Sequence, residues 1–212
     1  LHDGKLYLRV VDYKTGRKSF DLSDVRYGLG IQMLLYLFTL EKEGQSCFGY
    51  PIVPAGVLYH PARDLILKTE RDISPEALRR AMDRELRRDG MVLGDPEVLR
   101  AMEHSALEAP CFLPIQVSKD GGISGGVATA AQLGRLGQYV EKLLHQITRE
   151  LRQGNIDADP CWRGPQESAC TYCDFASACH FQDGQADDRL RPLKRVKADE
   201  FWEFVAHETG EE

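Results

Sequence analysis

The sequence predicts an α/β fold that ends in a cysteine-rich appendage. Apolar residues alternate along residues 5–14, as they do in a half-buried strand, whereas later apolar patterns repeat with the period of a helix. Strand and helix patterns then follow one another along the chain, which is typical of α/β domains. Four of the six cysteines fall between positions 161 and 179. We therefore expect a single α/β core followed by a small separate module.

The elements follow one another with recognisable start and stop signals. The first strand covers residues 5–14 and ends at Thr15-Gly16, and a helix capped by Ser23 or Asp24 is expected to run to about Glu43, where Gly44 ends it. Further predicted elements are a strand over 50–60, a helix over 75–89, a short helix over 95–104, a strand over 111–118, a helix over 129–153 and a terminal helix over 198–208. The glycine-rich residues 119–126 predict a flexible loop, and they lack the Lys-Ser/Thr ending of a phosphate-binding loop.

Two charged residues continue the apolar row of the first strand. Asp12 and Lys14 are two positions apart, so they share a face with Leu6, Leu8 and Val10. One interpretation is that the strand has reached solvent there and that both residues are ordinary surface groups. The other is a site for phosphodiester hydrolysis, in which a carboxylate holds Mg²⁺ and a lysine orients water or neutralises charge on phosphorus.

Bulk composition excludes some classes of protein. The 212 residues carry a net charge of −6, which argues against nucleic-acid binding through overall charge but leaves a local basic patch open. The helix over 75–89 mixes five arginines with four acids, which favours a solvated, salt-bridged face over a phosphate-binding helix. The longest apolar run, residues 33–38, is too short to span a bilayer, and no signal peptide is recognisable. We expect a soluble protein with no membrane partner.

The stretches "VVDYKTG" (10–16) and "GIQMLLY" (30–36) together resemble the signature of PD-(D/E)XK nucleases of the RecB-like branch. That branch pairs an Asp-Tyr-Lys strand with a downstream Gln-x-x-x-Tyr helix. Asp12 and Lys14 match the strand motif. Gln32 and Tyr36 match the helix motif, and their i, i+4 spacing places both on one helix face.

The resemblance implies a central mixed sheet flanked by helices and a magnesium-dependent nuclease. Asp12 would bind the metal with the Tyr13 carbonyl as a further ligand, and Lys14 would activate water or stabilise the transition state. Gln32 and Tyr36 would orient the catalytic groups or the DNA. The family also has an aspartate about a dozen residues before the Asp-x-Lys, which here falls before Leu1. We therefore expect part of the core, and one metal carboxylate, to lie upstream of the given residues.

The cysteine segment predicts a metal site. Cys170, Cys173 and Cys179 have the spacing C-x2-C-x5-C, and thiolates at such spacings suit an iron–sulfur cluster or zinc, whereas a disulfide framework is less expected without a secretion signal. Some RecB-like nucleases hold a [4Fe–4S] cluster with three C-terminal cysteines of this spacing and one upstream cysteine. Cys161 is then a bystander or the fourth ligand. We expect Cys47 and Cys111 to be reduced core thiols.

Longer stretches, such as "QLGRLGQYVEKLLHQI" and the cysteine segment, resemble the nuclease region of bacterial AddAB-type helicase–nucleases. This resemblance implies a cytoplasmic DNA exonuclease domain of double-strand break repair and recombination, with DNA and an AddA-type helicase–nuclease subunit as partners. The domains would be a nuclease core (1–157), a cluster-binding segment (158–182) and an acidic tail with a short helix (183–212). The alternatives are another RecB-like exonuclease, of the CRISPR-adaptation type, or a non-catalytic, metal-stapled DNA-binding or scaffold module.

Overall fold

The computed structural model describes residues 1, 3–16, 18–185 and 188–210. Residues 186 and 187 of the predicted acidic tail therefore lie outside the described residues, as do residues 211 and 212. The elements in chain order are β1 (Leu6–Lys14), α1 (Leu22–Arg26), α2 (Gln32–Phe48), β2 (Ile52–Pro61), α3 (Pro75–Glu85), β3 (Asp89–Leu93), α4 (Pro96–Met102), β4 (Ile115–Val117), β5 (Ile123–Gly125), β6 (Val127–Ala128), α5 (Ala130–Arg152), β7 (Cys161–Trp162), α6 (Ala176–Cys179), β8 (Arg191–Pro192) and α7 (Ala198–Glu208).

The chain divides into two compact units. The first comprises Leu1–Asp21 and Gly30–Gln138, and the second comprises Leu22–Leu29 and Tyr139–Glu212. The first unit contains a four-stranded sheet in the order β1-β2-β3-β6, together with the hairpin formed by β4 and β5. Strand β1 runs parallel to β2, β2 antiparallel to β3, and β3 parallel to β6. The predicted mixed sheet is thus confirmed.

Strand β2 lies in the middle of this sheet and is almost entirely buried, as expected for a strand covered on both faces. On one face, Leu58 and Val92 belong to a buried cluster with Leu99, Leu113 and Ile115. Helix α2 packs on β1 and β2. Its buried residues include Met33, Leu34, Leu37 and Phe38. The helices thus fix the sheet on which Asp12 and Lys14 are carried.

The second unit is held by polar contacts as well as by its apolar core. Phe201 and Val205 of α7 are fully buried. The Tyr139 hydroxyl donates to the Arg26 carbonyl at 2.5 Å, and burial, the largest cause, raises the pKa of Tyr139 to about 12. The phenol therefore stays protonated and remains a donor throughout the ordinary pH range.

Several predicted helix starts are confirmed by their capping bonds. The Ser74 hydroxyl accepts from the Ala77 N–H at 3.2 Å, and the Asp95 carboxylate accepts from the N–H groups of the first turn of α4. Thr129 and Gln132 form the expected reciprocal pair, with bonds of 2.8 and 3.1 Å. The terminal helix also has the predicted bounds.

Other predicted elements were wrong. The single helix over 23–43 is two helices, because Gly28 and Gly30 take positive φ angles of 77° and 65° and interrupt it. Helix α2 then continues through Gly44, which packs closely on Ile52, and ends at Gly49 in the left-handed conformation.

The strands after α3 also differ from the prediction. The helix predicted over 75–89 ends at Glu85, and Asp89 begins strand β3 instead. The strand predicted over 111–118 is shortened to Ile115–Val117, and it pairs with residues 123–125 of the predicted flexible loop. These short strands are specified by their partners across the sheet, which a local pattern does not reveal.

Within the described ranges, none of the helices has both the length and the apolar character needed to cross a bilayer.

Candidate active site

Asp12 and Lys14 form an ion pair at the carboxyl end of β1. Their side chains leave the strand on the same face, and the Lys14 Nζ lies 2.8 Å from the Asp12 Oδ2. The two side chains are 31% and 37% exposed, so the pair is open to solvent. The hydrogen bond to Asp12, the largest cause, raises the pKa of Lys14. Lys14 is therefore a cation at neutral pH.

Gln32 and Tyr36 form a second pair on the first turn of α2. Gln32 is the first residue of the helix, and its Nε2 donates to the Tyr36 hydroxyl at 2.8 Å. The Tyr36 side chain is 53% exposed, so its ring is not part of the core. The i, i+4 spacing of the motif thus places an amide and a phenol side by side at the start of a helix that packs on β1.

The structure brings each pair together, while the two pairs belong to different elements. Within the part of the chain that the structure describes, no hydrogen bond joins Asp12 or Lys14 to Gln32 or Tyr36. The roles predicted for these four residues therefore remain predictions.

A cavity of about 420 Å³ opens beside Lys14, and we call it the Lys14 cavity. Its walls come from the segment after β1, the end of β2, the end of α3 and the start of β3. The polar lining residues are Lys14, Lys18, Ser19, Tyr59, His60, Arg63, Arg84, Glu85, Arg87 and Asp89. The sequence pattern gives no sign of the cavity, because its lining comes from four segments that only the sheet brings together.

His60 is held as a neutral imidazole at the edge of this cavity. Partial burial, the largest cause, and the positive charge of Arg88 lower the pKa of His60. The Arg88 Nε donates to the His60 Nδ1 at 3.2 Å, which leaves the ring proton on Nε2. The ring also lies 5.0 Å from that of Tyr13, measured between centroids.

The donors near Asp12 suit a hard divalent cation. The Asp12 carboxylate and the Tyr13 main-chain carbonyl are oxygen donors, which Mg²⁺ prefers, and Mg²⁺ commonly binds through one or two carboxylates while water and substrate phosphates complete its coordination. The Tyr13 side chain points away from this role, since it is 68% exposed. Across residues 1, 3–16, 18–185 and 188–210, no group of three or more His, Cys, Asp or Glu side chains is gathered for metal binding.

The cysteine segment carries free thiols that are not gathered into a metal site. Cys173 and Cys179 are exposed and Cys170 is half-buried. The Cys173 N–H donates to the Cys170 carbonyl at 3.3 Å, so the first two cysteines flank a tight turn, and Cys179 ends the short helix α6. The soft sulfur donors suit iron or zinc. Their arrangement among the described residues does not form a cluster site.

The remaining cysteines also differ from expectation in part. Cys161 lies half-buried in β7, and Cys111 is half-buried in the first unit. Cys47 is exposed on α2, so the expectation of a core thiol was wrong for that residue. All six cysteines are free.

Comparisons with known proteins agree with this geometry. The model of the PD-(D/E)XK nuclease superfamily matches residues 1–180. The chain is 35% identical over 207 residues to an ATP-dependent helicase/deoxyribonuclease subunit of Acetivibrio thermocellus. It is 34% identical over 206 residues to the protein of the same name in Clostridium botulinum (strain Loch Maree / Type A3), and 33% identical over 212 residues to that of Thermoanaerobacter sp. (strain X514).

These alignments cover nearly all of the chain but a small part of each relative. They include 97%, 96% and 97% of the chain, and the chain spans 18% of the length of each of the three relatives. The superfamily match extends over the strand of Asp12 and Lys14, the helix of Gln32 and Tyr36 and the cysteine segment. The chain therefore belongs to the PD-(D/E)XK nuclease superfamily.

Proposed function

We propose that this chain is the magnesium-dependent DNA exonuclease domain of an AddAB-type helicase–nuclease that acts in double-strand break repair and recombination. The observation that carries the proposal is the Asp12–Lys14 pair at the end of β1, where a carboxylate and an ammonium are 2.8 Å apart and open to solvent. The relatives' printed name, a helicase and deoxyribonuclease subunit, supports the choice of DNA as the substrate. An AddA-type subunit would be the partner, and the complex would act in the cytoplasm.

The four motif residues divide the work in this proposal. Asp12 and the Tyr13 carbonyl would hold Mg²⁺, which when bound lowers the pKa of a water ligand and polarises the scissile phosphate. Lys14, which is kept protonated by its bond to Asp12, would stabilise the negative charge that develops on the phosphorane oxygens. Gln32 and Tyr36 would use their free donor and acceptor capacity to orient the DNA backbone or the attacking water.

An assay on two forms of one DNA tests the exonuclease proposal. The full-length protein, together with its partner subunit, is incubated with a linear duplex or with the same duplex as a closed circle. We expect Mg²⁺-dependent release of nucleotides from the linear form, because an exonuclease needs an end. Equal cutting of both forms, or no cutting with Mg²⁺ present, would contradict the proposal.

We further propose that Cys170, Cys173 and Cys179 bind a [4Fe–4S] cluster, with Zn²⁺ as the alternative metal. The support is the C-x2-C-x5-C spacing and the free state of all three thiols. A cubane cluster takes four protein ligands, so a fourth cysteine is required. Loading also requires the segment to close, because the thiols are not gathered among the described residues. The cluster would have a structural role.

Iron and sulfide content distinguishes these metals. We expect the anaerobically purified full-length protein to be brown and to contain iron and acid-labile sulfide. Cys173→Ser should remove both, whereas Cys47→Ser, at an exposed cysteine on α2, should leave them unchanged. Cys161→Ser tests whether that residue is the fourth ligand. A colourless protein that contains zinc would refute the cluster.

A further inference from the structure

The Lys14 cavity is strongly basic although the whole chain is acidic. Five permanent cations line it: Lys14, Lys18, Arg63, Arg84 and Arg87. Two carboxylates, those of Glu85 and Asp89, oppose them. The net charge of the chain is −6, so this excess of positive charge is a local feature and not a reflection of composition.

The two carboxylates of the cavity already have partners. The Glu85 Oε2 accepts from the Arg63 Nη2 at 3.1 Å, so these two charges largely cancel. The Asp89 Oδ1 accepts from the Phe20 N–H at 3.3 Å, which directs this carboxylate to the main chain. The acids therefore do not neutralise the remaining lysine and arginine side chains one for one.

The hydrogen bonds of Arg84 and Arg87 go to neutral acceptors. The Arg87 guanidinium donates to the carbonyls of Leu113, at 3.1 Å, and of Ile115, both in the segment around β4. The Arg84 Nε donates to the Arg80 carbonyl at 3.4 Å. These contacts fix the guanidinium groups without neutralising their charge, and both side chains are exposed. Each is thus oriented in advance and still able to bind an anion.

We propose that the Lys14 cavity binds a backbone phosphate of the DNA strand next to the scissile phosphate. This inference rests on the proposed nuclease function. Guanidinium and ammonium groups are the side chains that bind phosphate oxygens most strongly, and guanidinium can do so with two parallel bonds. Lys14 belongs both to the cavity lining and to the ion pair with Asp12, so a phosphate in the cavity lies beside the reaction centre.

The proposal changes the interpretation of the charged helix α3. Its mixture of acids and arginines predicts a solvated, salt-bridged face, and the Glu85–Arg63 pair agrees with this prediction. Arg84 is one position before Glu85, yet it lines the cavity together with Lys18 from the segment after β1. These two residues, from distant parts of the sequence, are the ones we assign to the phosphate.

Salt-dependent DNA binding tests the assignment. A labelled single-stranded oligonucleotide is titrated with the full-length protein carrying Asp12→Asn, without divalent metal, at several salt concentrations. We expect Lys18→Ala and Arg84→Ala each to weaken binding by about three- to tenfold and to reduce the slope of log K against log salt by about 0.7. Arg100→Ala, at an exposed arginine of α4 outside the cavity lining, is the matched control and should change neither quantity.

Three other outcomes decide against parts of this scheme. Unchanged affinity and slope in both cavity variants would overturn the proposal, even if Asp12→Asn abolishes cutting. If inorganic phosphate alone binds the cavity and the DNA affinity does not depend on Lys18 or Arg84, the cavity is a free-anion site and the proposal also fails. If Asp12→Asn leaves cutting intact, the proposed nuclease site fails separately. Arg84→Gln serves as a second variant if thermal melting shows that Arg84→Ala is misfolded.

Discussion

Replacing Asp12 by Asn is expected to lower the rate of DNA degradation by about a thousandfold or more, because an amide neither binds Mg²⁺ as a carboxylate does nor keeps the ion pair with Lys14. Lys14→Met should lower the rate by about 10²- to 10⁴-fold, since it removes the cation that faces the developing charge. The measurement is the initial rate of nucleotide release from linear DNA by the full-length protein with Mg²⁺.

Two features separate this loss from misfolding. An ion pair as exposed as Asp12–Lys14 contributes only about 0–1 kcal/mol to the free energy of unfolding, so both variants should keep their melting temperature. Asp72→Asn and Lys119→Ala change the same residue types at exposed positions outside the motif and should keep the wild-type rate. A variant at position 12 that cuts DNA at the wild-type rate would refute the catalytic assignment.

The largest expected effect on stability comes from one glycine of β3. Gly90 has a φ of 148°, and a Cβ atom built there would lie 2.1 Å from the Val57 carbonyl oxygen of the neighbouring strand. Gly90→Ala therefore forces β2 and β3 apart next to Leu58, which is fully buried. We expect a loss of about 3–5 kcal/mol in the free energy of unfolding of the first unit.

A second glycine provides the matched control. Gly134 lies in α5, and a Cβ atom there would meet no other heavy atom within 4 Å. Gly134→Ala should therefore stabilise the helix by about 0.5–1 kcal/mol. Hydrogen–deuterium exchange of the full-length protein measures both effects locally, with faster exchange in β2 and β3 for Gly90→Ala. Equal protection of these strands in the two variants would contradict the prediction.

The parts of the fold that depend on neighbouring residues could be predicted from the sequence. The capping pair Thr129–Gln132 and the bounds of α7 are examples, because the bonds involved join residues three or four apart. The shared face of Asp12 and Lys14 followed in the same way from the two-residue period of a strand.

Features that depend on distant residues could not be predicted in this way. Asp89 follows a run of arginines that predicts the end of a helix, but pairing with Tyr59 of β2 makes it the first residue of a strand. The Lys14 cavity escapes prediction for the same reason, since Lys18 and Arg84 are 66 positions apart in the sequence. No local pattern relates two such residues, and only the formation of the sheet does so.

The contact between Lys14 and Asp12 has a consequence for how DNA approaches the protein. A bare carboxylate would repel an incoming phosphodiester, and the strand would then have to wait for a cation to bind first. The ammonium group 2.8 Å away cancels that repulsion while no metal is bound. The resting protein therefore imposes no electrostatic penalty on early docking of the strand, and DNA and the divalent ion are free to arrive in either order.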